Sequence, residues 1–110
     1  MTVQEGKIDS FALLEIIGRV TSENSETLKA YLQELGKREQ HVLIDCSALE
    51  YISSTGLGAL LVLLKLIQNK HGILRLFCVS PRIVEVFKIS GFDKYFPIFP
   101  SLQAARRAET

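Results

Sequence analysis

The stretch HVLIDCSALEYISSTGLGAL, residues 41–60, contains one strand and the start of one helix, and the rest of the fold can be inferred outward from it. His41–Cys46 has an apolar centre, which predicts a short buried strand. A turn is expected over Ser47–Tyr51, and an apolar helix is expected to begin near Thr55. A buried strand followed by a helix is typical of a parallel βαβ unit, so this stretch predicts the α/β class.

The residues before this stretch predict a hairpin and a helix. Phe11–Val20 is rich in apolar residues and predicts a strand, and Val3–Ile8 predicts a shorter strand that pairs with it as an edge hairpin. Thr21 and Ser22 are the expected N-caps of the next helix. The i, i+3, i+4, i+7 spacing predicts that the apolar face of this helix consists of Leu28, Tyr31, Leu32 and Leu35.

The residues after the stretch predict two further strands and two further helices. Ile73–Val79 predicts a buried strand, and Ser80-Pro81 predicts the start of a helix that ends at Gly91. Tyr95–Phe99 predicts a last short strand, and Ser101–Glu109 predicts a terminal helix capped by its first residue. Strands that alternate with helices at these spacings indicate parallel βαβ units with right-handed crossovers.

The composition predicts one soluble domain. The 110 residues are 47% hydrophobic and 23% charged, which allows a core without disulfides or metals. The 13 Lys and Arg residues against 12 Asp and Glu residues give a net charge of +1, which argues against direct nucleic-acid binding. No signal peptide is expected, and the longest apolar run, Leu57–Leu64, is too short for membrane insertion. Cys46 and Cys78 lie in apolar runs and predict two buried thiols, which favours a cytoplasmic protein.

The segment SSTGLG, Ser53–Gly58, is the most informative part of the chain. Its hydroxyl side chains and glycines bring polar groups and free backbone N–H groups to a helix N-terminus, which favours an anion or a phosphate attached to one hydroxyl. The alternative is structural, with hydroxyls that only cap the helix and glycines that only allow close packing. Spacing alone leaves both interpretations open.

Catalytic and metal sites are not predicted. The segment lacks the Gly-Lys-Ser/Thr of a P-loop and the Gly-x-Ser-x-Gly of a nucleophile elbow. Only His41 and His71 could act as a base, and neither has a second ligand at metal spacing. Asp45 is expected to be a turn carboxylate or, alternatively, to line the anion site, and Arg75 is expected to point outward from its strand. We therefore expect a protein without enzymatic activity, cofactor or metal.

The helix after the segment is apolar nearly all round. One stripe consists of Leu57, Leu60, Leu61 and Leu64, and apolar residues cover much of the remaining surface. Such a helix is either deeply buried or keeps one face for a partner. Both possibilities stay open, because a small domain has little room for a helix buried on every side.

These segments closely resemble the STAS domain of bacterial anti-sigma factor antagonists, and the resemblance extends over essentially all of residues 1–110. It implies a single STAS domain, with a small mixed, mostly parallel sheet and about four helices packed mainly on one face. It also implies a stand-alone regulator without catalysis of its own. The segments that carry the resemblance are Leu43–Ser47, Tyr51–Leu60, Gly72–Leu76, Val79–Pro81, Val86–Phe92 and Phe96–Phe99.

The resemblance implies a switch by partner exchange. In that family the unphosphorylated protein binds an anti-sigma factor that is also a serine kinase, and so releases the sigma factor. Phosphorylation ends the binding, and a PP2C-type phosphatase restores it. The family pattern Asp-Ser-Ser/Thr-Gly-Leu-Gly falls on Ser53–Gly58, so Ser54 is the expected phosphoacceptor and Thr55 the second choice. The implied partner-binding residues are Thr21, Ser22, Ser53, Ser54, Thr55, Gly56, Leu57, Leu60 and Leu61.

Two departures from the family pattern remove negative charge near Ser54. The Asp that precedes the acceptor is Ser53 here, and the family's Gly-Glu-Leu/Ile-Asp element falls on Gly18–Thr21. Arg19 therefore occupies the position of the family's Glu, and Thr21 occupies the position of its Asp. These changes imply either altered recognition by the kinase or a divergent partner of altered charge.

A second interpretation keeps the fold and changes the partner. Some short STAS proteins are non-enzymatic subunits of membrane transport complexes, and the sequence does not separate that role from sigma-factor regulation. A small hydrolase or nucleotide-binding protein is the weakest alternative, because the chain has no base expected near Ser54 and no phosphate loop.

Overall fold

Strands and helices alternate in the computed structural model, which describes residues 1–108. The six strands of this range are β1 (Thr2–Ile8), β2 (Phe11–Val20), β3 (His41–Asp45), β4 (Leu49–Ile52), β5 (Ile73–Phe77) and β6 (Ile98–Phe99). Its helices are α1 (Ser25–Arg38), α2 (Ser54–Asn69), α3 (Pro81–Ser90) and α4 (Leu102–Arg107), with a short 3-10 turn at Phe92–Lys94.

The strands form a mixed sheet in the order β1-β2-β3-β5-β6, and β4 pairs separately with the end of β2. β1 and β2 are the expected antiparallel edge hairpin, and every other pair is parallel. Side chains of α1, α2 and α3 pack on one face of the sheet, and those of α4 pack on the other. The predicted α/β class, mostly parallel sheet and helices mainly on one face are confirmed.

β4 replaces most of the turn expected over Ser47–Tyr51, so that prediction was wrong. β2 has ten residues and β3 has five, and the last residues of β2 therefore keep a free edge on which β4 pairs. The register shifts between Gly18 and Arg19, and Gly18 has a φ of 94°. Glycine adopts that backbone conformation without steric cost, so the shift occurs where the chain tolerates it.

α1 begins later than predicted. Thr21 and Ser22 lie in the loop before it, and the residue at the cap position is Asn24. The Asn24 side chain accepts a hydrogen bond from the Thr21 N–H at 2.8 Å and donates one to the Arg19 carbonyl at 3.0 Å. It therefore closes the β2–α1 loop, and this closure delays the helix start.

Arg75 is buried, contrary to the expectation of an outward side chain. It points away from α1, α2 and α3, but α4 covers that face of the sheet and leaves Arg75 5% exposed. Its guanidinium donates a hydrogen bond to the Ala105 carbonyl at 2.9 Å and lies 5.7 Å from the ring centroid of Phe99. The charge is thus satisfied by a helix carbonyl and an aromatic face.

Three strands are shorter than predicted. β3 ends at Asp45, one residue before the prediction, β5 ends at Phe77 instead of Val79, and β6 lacks the predicted Tyr95–Pro97. The predicted cap residues are confirmed: Ser80 caps the start of α3, Gly91 its end, and Ser101 the start of α4. The last helix ends at Arg107, earlier than predicted, because Ala108 has an extended backbone; the predicted last residue, Glu109, lies outside the described residues.

The two thiols differ in burial. Cys46 is buried as expected, and burial raises the pKa of its thiol to about 12, so the reactive thiolate does not form at neutral pH. Cys78 is only half-buried, which corrects the prediction of two buried thiols. It follows β5 at a φ of 56°, and this turn away from the strand exposes it.

The Glu5 carboxylate joins β1 to α1, and we expect its contribution to stability to depend on pH. It accepts hydrogen bonds from Arg38 at 2.7 Å and from the Tyr31 hydroxyl. Arg38 and Tyr31 together hold the pKa of Glu5 at about 2, below its ordinary value of 4.5. Because the folded-state pKa is depressed, this stabilisation is complete above pH 4.5 and is lost as the pH falls toward 2.

Thermal unfolding of the wild type and Glu5→Gln from pH 7 to pH 2.5 tests this. The wild type should be more stable by about 1 kcal/mol at pH 7, and the gap should close on acidification. Glu85→Gln is the control, because Glu85 is exposed and forms no ion pair with any of residues 1–108. A gap for Glu5→Gln that is constant over this pH range would contradict the prediction.

Candidate functional site

The hydroxyl segment lies where β2, β4 and α2 meet. β4 ends at Ile52, directly before Ser53. The Ser53 N–H donates a hydrogen bond of 2.9 Å to the Val20 carbonyl at the end of β2. This bond brings the β2–α1 loop, with Thr21 and Ser22, next to the start of α2. The fold therefore assembles the two segments that the sequence pattern pointed to.

The three hydroxyl groups have different environments. Ser53 is the N-cap of α2, and its Oγ accepts a hydrogen bond from the Gly56 N–H at 3.1 Å. Its Oγ also shares a 3.0 Å hydrogen bond with Oγ1 of Thr55. Ser54 is exposed, and its hydroxyl takes part in no hydrogen bond within the described range. Of the three, the Ser54 hydroxyl is the one free to react at the surface.

The two glycines of the segment have different roles. A Cβ at Gly56 would lie 2.7 Å from Cγ1 of Val20 and 2.8 Å from Cγ1 of Ile52, so the close contact of α2 with β2 and β4 requires glycine. A Cβ at Gly58 would meet nothing within 4 Å. Gly56 thus fits the close-packing interpretation, whereas Gly58 leaves backbone open on the exposed side of the helix.

The apolar helix buries most of its leucine stripe. Leu57 and Leu60 are 2% and 1% exposed, so their expected direct contact with a partner needs correction: both side chains belong to the core. Leu61 is half-buried and remains available at the surface. α1 covers the opposite side of α2, where Leu63 and Leu66 approach Gly36. The helix is apolar all round because the sheet and α1 both cover it.

An arginine and a tyrosine form an exposed pair beside the hydroxyl segment. Arg19 and Tyr51 are register partners in β2 and β4, and the guanidinium carbon lies 4.5 Å from the tyrosine ring centroid. Tyr51 is 40% exposed and was not among the predicted site residues, because the stretch around it was expected to be a turn. The pair adds positive charge and an aromatic surface next to Ser53.

The remaining polar residues singled out from the sequence have structural roles. Oδ1 of Asp45 accepts the Ser47 N–H at 2.9 Å, which is the turn carboxylate that was expected. Nδ1 of His41 accepts the Ile73 N–H at 3.1 Å. Within residues 1–108 no three His, Cys, Asp or Glu side chains gather at a possible metal site. None of the helices in that range is long and apolar enough to span a bilayer.

Comparison with known protein families supplies the identification. Residues 3–105 match the STAS domain over nearly the whole chain. The chain belongs to the STAS domain family. The hydroxyl segment therefore lies at the start of α2 in a STAS domain.

Individual relatives of this STAS domain bear related names. The BtrV protein of Bordetella bronchiseptica, named as a candidate anti-sigma factor antagonist, is 38% identical over 109 residues, 98% of this chain and 94% of that protein. The anti-sigma F factor antagonist of Paenibacillus polymyxa is 27% identical over 89 residues, 79% of this chain and 76% of that protein. A crystal structure of a candidate anti-sigma factor antagonist from Thermotoga maritima has the same fold, with a TM-score of 0.85, 21% identity and coverage of 96% and 95% of the two chains.

Proposed function

We propose that this STAS domain is an anti-sigma factor antagonist controlled by phosphorylation at Ser54, with Thr55 as second choice. In this proposal the unphosphorylated form binds an anti-sigma factor with serine kinase activity in the cytoplasm, and the sigma factor is released. A PP2C-type phosphatase removes the phosphate, and the domain itself catalyses nothing. The names of its relatives support the regulatory role.

The free hydroxyl of Ser54 is the observation that carries the proposal. Ser53 already caps α2, so phosphorylation there would remove a cap that the helix uses. Thr55 is tied to Ser53 by its own hydrogen bond. Ser54 is exposed at the first position of the helix and can accept a phosphate without breaking a hydrogen bond of the described chain.

A phosphate at this position acts on the interface and leaves the fold intact. A phosphoserine has about −1.5 to −2 charges, and the N-terminus of a helix stabilises negative charge. No refolding of the domain is therefore required. A partner surface that packs on Ser54 and the half-buried Leu61 would have to desolvate the dianion, which costs several kcal/mol unless a cation pairs with it.

The charge of the expected partner surface follows from the residues around Ser54. Arg19, Thr21 and Ser53 replace acidic residues of the family pattern in this chain. Arg19 is exposed, and its guanidinium packs on the ring of Tyr51. Relative to the family pattern, the face proposed to bind the anti-sigma factor has therefore lost negative charge. We expect the partner to present acidic or neutral side chains here, because like charges across an interface oppose binding.

Phosphate mapping with the cognate kinase tests the proposal. Proteins from the source cells that bind the immobilised wild type but not Ser54→Asp are identified by mass spectrometry. The captured kinase is then incubated with the wild type and Mg-ATP, and the phosphorylated residue is determined. We expect an anti-sigma factor among the differential proteins and phosphate on Ser54.

Ser54→Ala is the matched variant, and it should bind the kinase and accept no phosphate. The absence of phosphate from both Ser54 and Thr55 in the wild type would contradict the proposal. Equal capture of the kinase by the wild type and Ser54→Asp would also contradict the proposal. Capture of membrane-transporter subunits in place of an anti-sigma factor would support the alternative role in a transport complex.

A further inference from the structure

Part of the outer edge of β5 is open. β6 pairs with Leu76 and Phe77 only, so Ile73–Arg75 has no neighbouring strand on that side within residues 1–108. Pro97 ends the pairing: its carbonyl accepts the Leu76 N–H at 2.9 Å, but proline has no N–H to continue the ladder. Because backbone N–H groups face the same side at every second residue of a strand, the N–H of Leu74 faces this open edge.

Two grooves meet along this edge. The first has a volume of about 300 Å³ and runs over Ile73–Arg75, with Leu64 and Ile67 of α2 in its wall. The second has a volume of about 560 Å³ and lies between α2 and the segment 90–95. Leu64, Gln68 and Tyr95 line both, so the two are parts of one groove, which we call the edge groove.

The edge groove has apolar walls and a positive rim. Leu61, Leu64 and Phe92 supply apolar surface, and Lys65 and Lys94 supply the charge. None of the lining residues in the described part of the chain is acidic. An extended segment with apolar and acidic side chains is complementary to these walls, whereas a basic segment would be repelled.

We propose that the edge groove binds an extended segment of a partner protein as an added strand on Ile73–Arg75, with apolar and acidic side chains on the strand face that meets α2. The main chain of the segment would pair with the edge, including the Leu74 N–H. The side chains at every second position share one face, and these would enter the apolar groove or meet the lysines. The groove runs along α2 from Leu61 to Gln68, so its far end lies about 21 Å along the helix axis from Ser54. It is a second docking surface that shares only Leu61 with the surface proposed for the anti-sigma factor.

A peptide titration of the unphosphorylated full chain tests the proposal. The probe is the acetylated and amidated octapeptide Val-Thr-Glu-Thr-Val-Thr-Glu-Thr, which places Val and Glu on the same strand face, and it is added to the ¹⁵N-labelled protein. We expect shifts of the Ile73–Arg75 and Lys65 amide resonances, and slower hydrogen exchange of the Leu74 amide in the complex. Lys65→Glu should weaken binding about tenfold, whereas Lys37→Glu, the same charge change on the exposed side of α1, should not.

Four results would overturn the proposal. Equal binding of the same octapeptide with Lys in place of each Glu would exclude the charge complementarity. Shifts without slower exchange at Leu74 would exclude strand addition. Binding of octanoate but not of the peptide would make the groove a site for alkyl carboxylates. The same shifts on concentrating the protein alone would make it a contact between copies of this chain.

Discussion

Phosphorylation of Ser54 should weaken binding of the anti-sigma factor about a thousandfold, which corresponds to about 4 kcal/mol. The cause is desolvation of a dianion at an interface that contains the exposed start of α2. Ser54→Asp introduces about half of that charge and should weaken binding about thirtyfold, which corresponds to about 2 kcal/mol. Isothermal titration calorimetry with the purified anti-sigma factor measures both effects.

Two variants separate a local effect from a change of net charge. Ser54→Ala should bind within about threefold of the wild type, because the Ser54 hydroxyl makes no hydrogen bond within residues 1–108. Gln103→Glu adds one negative charge on α4, on the opposite face of the sheet, and should leave the affinity unchanged. An equal loss of affinity in Gln103→Glu and Ser54→Asp would mean that total charge, and not the position of the charge, controls binding.

Gly72→Ala should lower the free energy of unfolding by about 3 kcal/mol. A Cβ at this position would lie 1.8 Å from the Gln40 carbonyl oxygen and 2.9 Å from Cγ2 of Ile67. The first contact is with backbone, so no side-chain rotation relieves it. The same Gln40 carbonyl accepts the Ile73 N–H at 3.2 Å, shared with Nδ1 of His41, so moving this carbonyl weakens the link into β5.

Chemical denaturation monitored by circular dichroism tests this prediction, with Gly58→Ala as the control. Gly58 lies inside α2, and a Cβ there would meet nothing within 4 Å, so alanine should stabilise the protein by about 0.5–1 kcal/mol. The two identical substitutions should therefore have opposite signs. A loss below about 1 kcal/mol in Gly72→Ala would show that the β3 and β5 ends adjust more easily than the packing implies.

Elements with local signals were predicted well. Ser80-Pro81 and Gly91 bound α3, and Ser101 caps α4, because the bonds that satisfy a helix end lie within a few residues of it. The hydroxyl segment was placed correctly at the start of α2 for the same reason. The antiparallel hairpin of β1 and β2 likewise depends on neighbouring residues only.

Features that depend on distant residues were missed. β4 exists because the end of β2 has a free edge, and no pattern within Leu49–Ile52 reveals that edge. Arg75 was predicted to point outward, but α4, thirty residues further along the chain, covers it. The late start of α1 was also missed, although its cause is local: Asn24 closes the β2–α1 loop through Thr21 and Arg19, and this closure competes with a helix start at Thr21 or Ser22.

The sequence by itself determined the order of most elements, the STAS resemblance and the segment Ser53–Gly58 as the place of interest. Local hydrogen bonds at the helix start engage Ser53 and Thr55 and leave the Ser54 hydroxyl unbonded within residues 1–108. Only the tertiary structure decided that Leu57 and Leu60 are buried. The physical reason is that α2 is apolar on every side. Its periodicity therefore cannot say which face the sheet and α1 cover, and only their packing settles it.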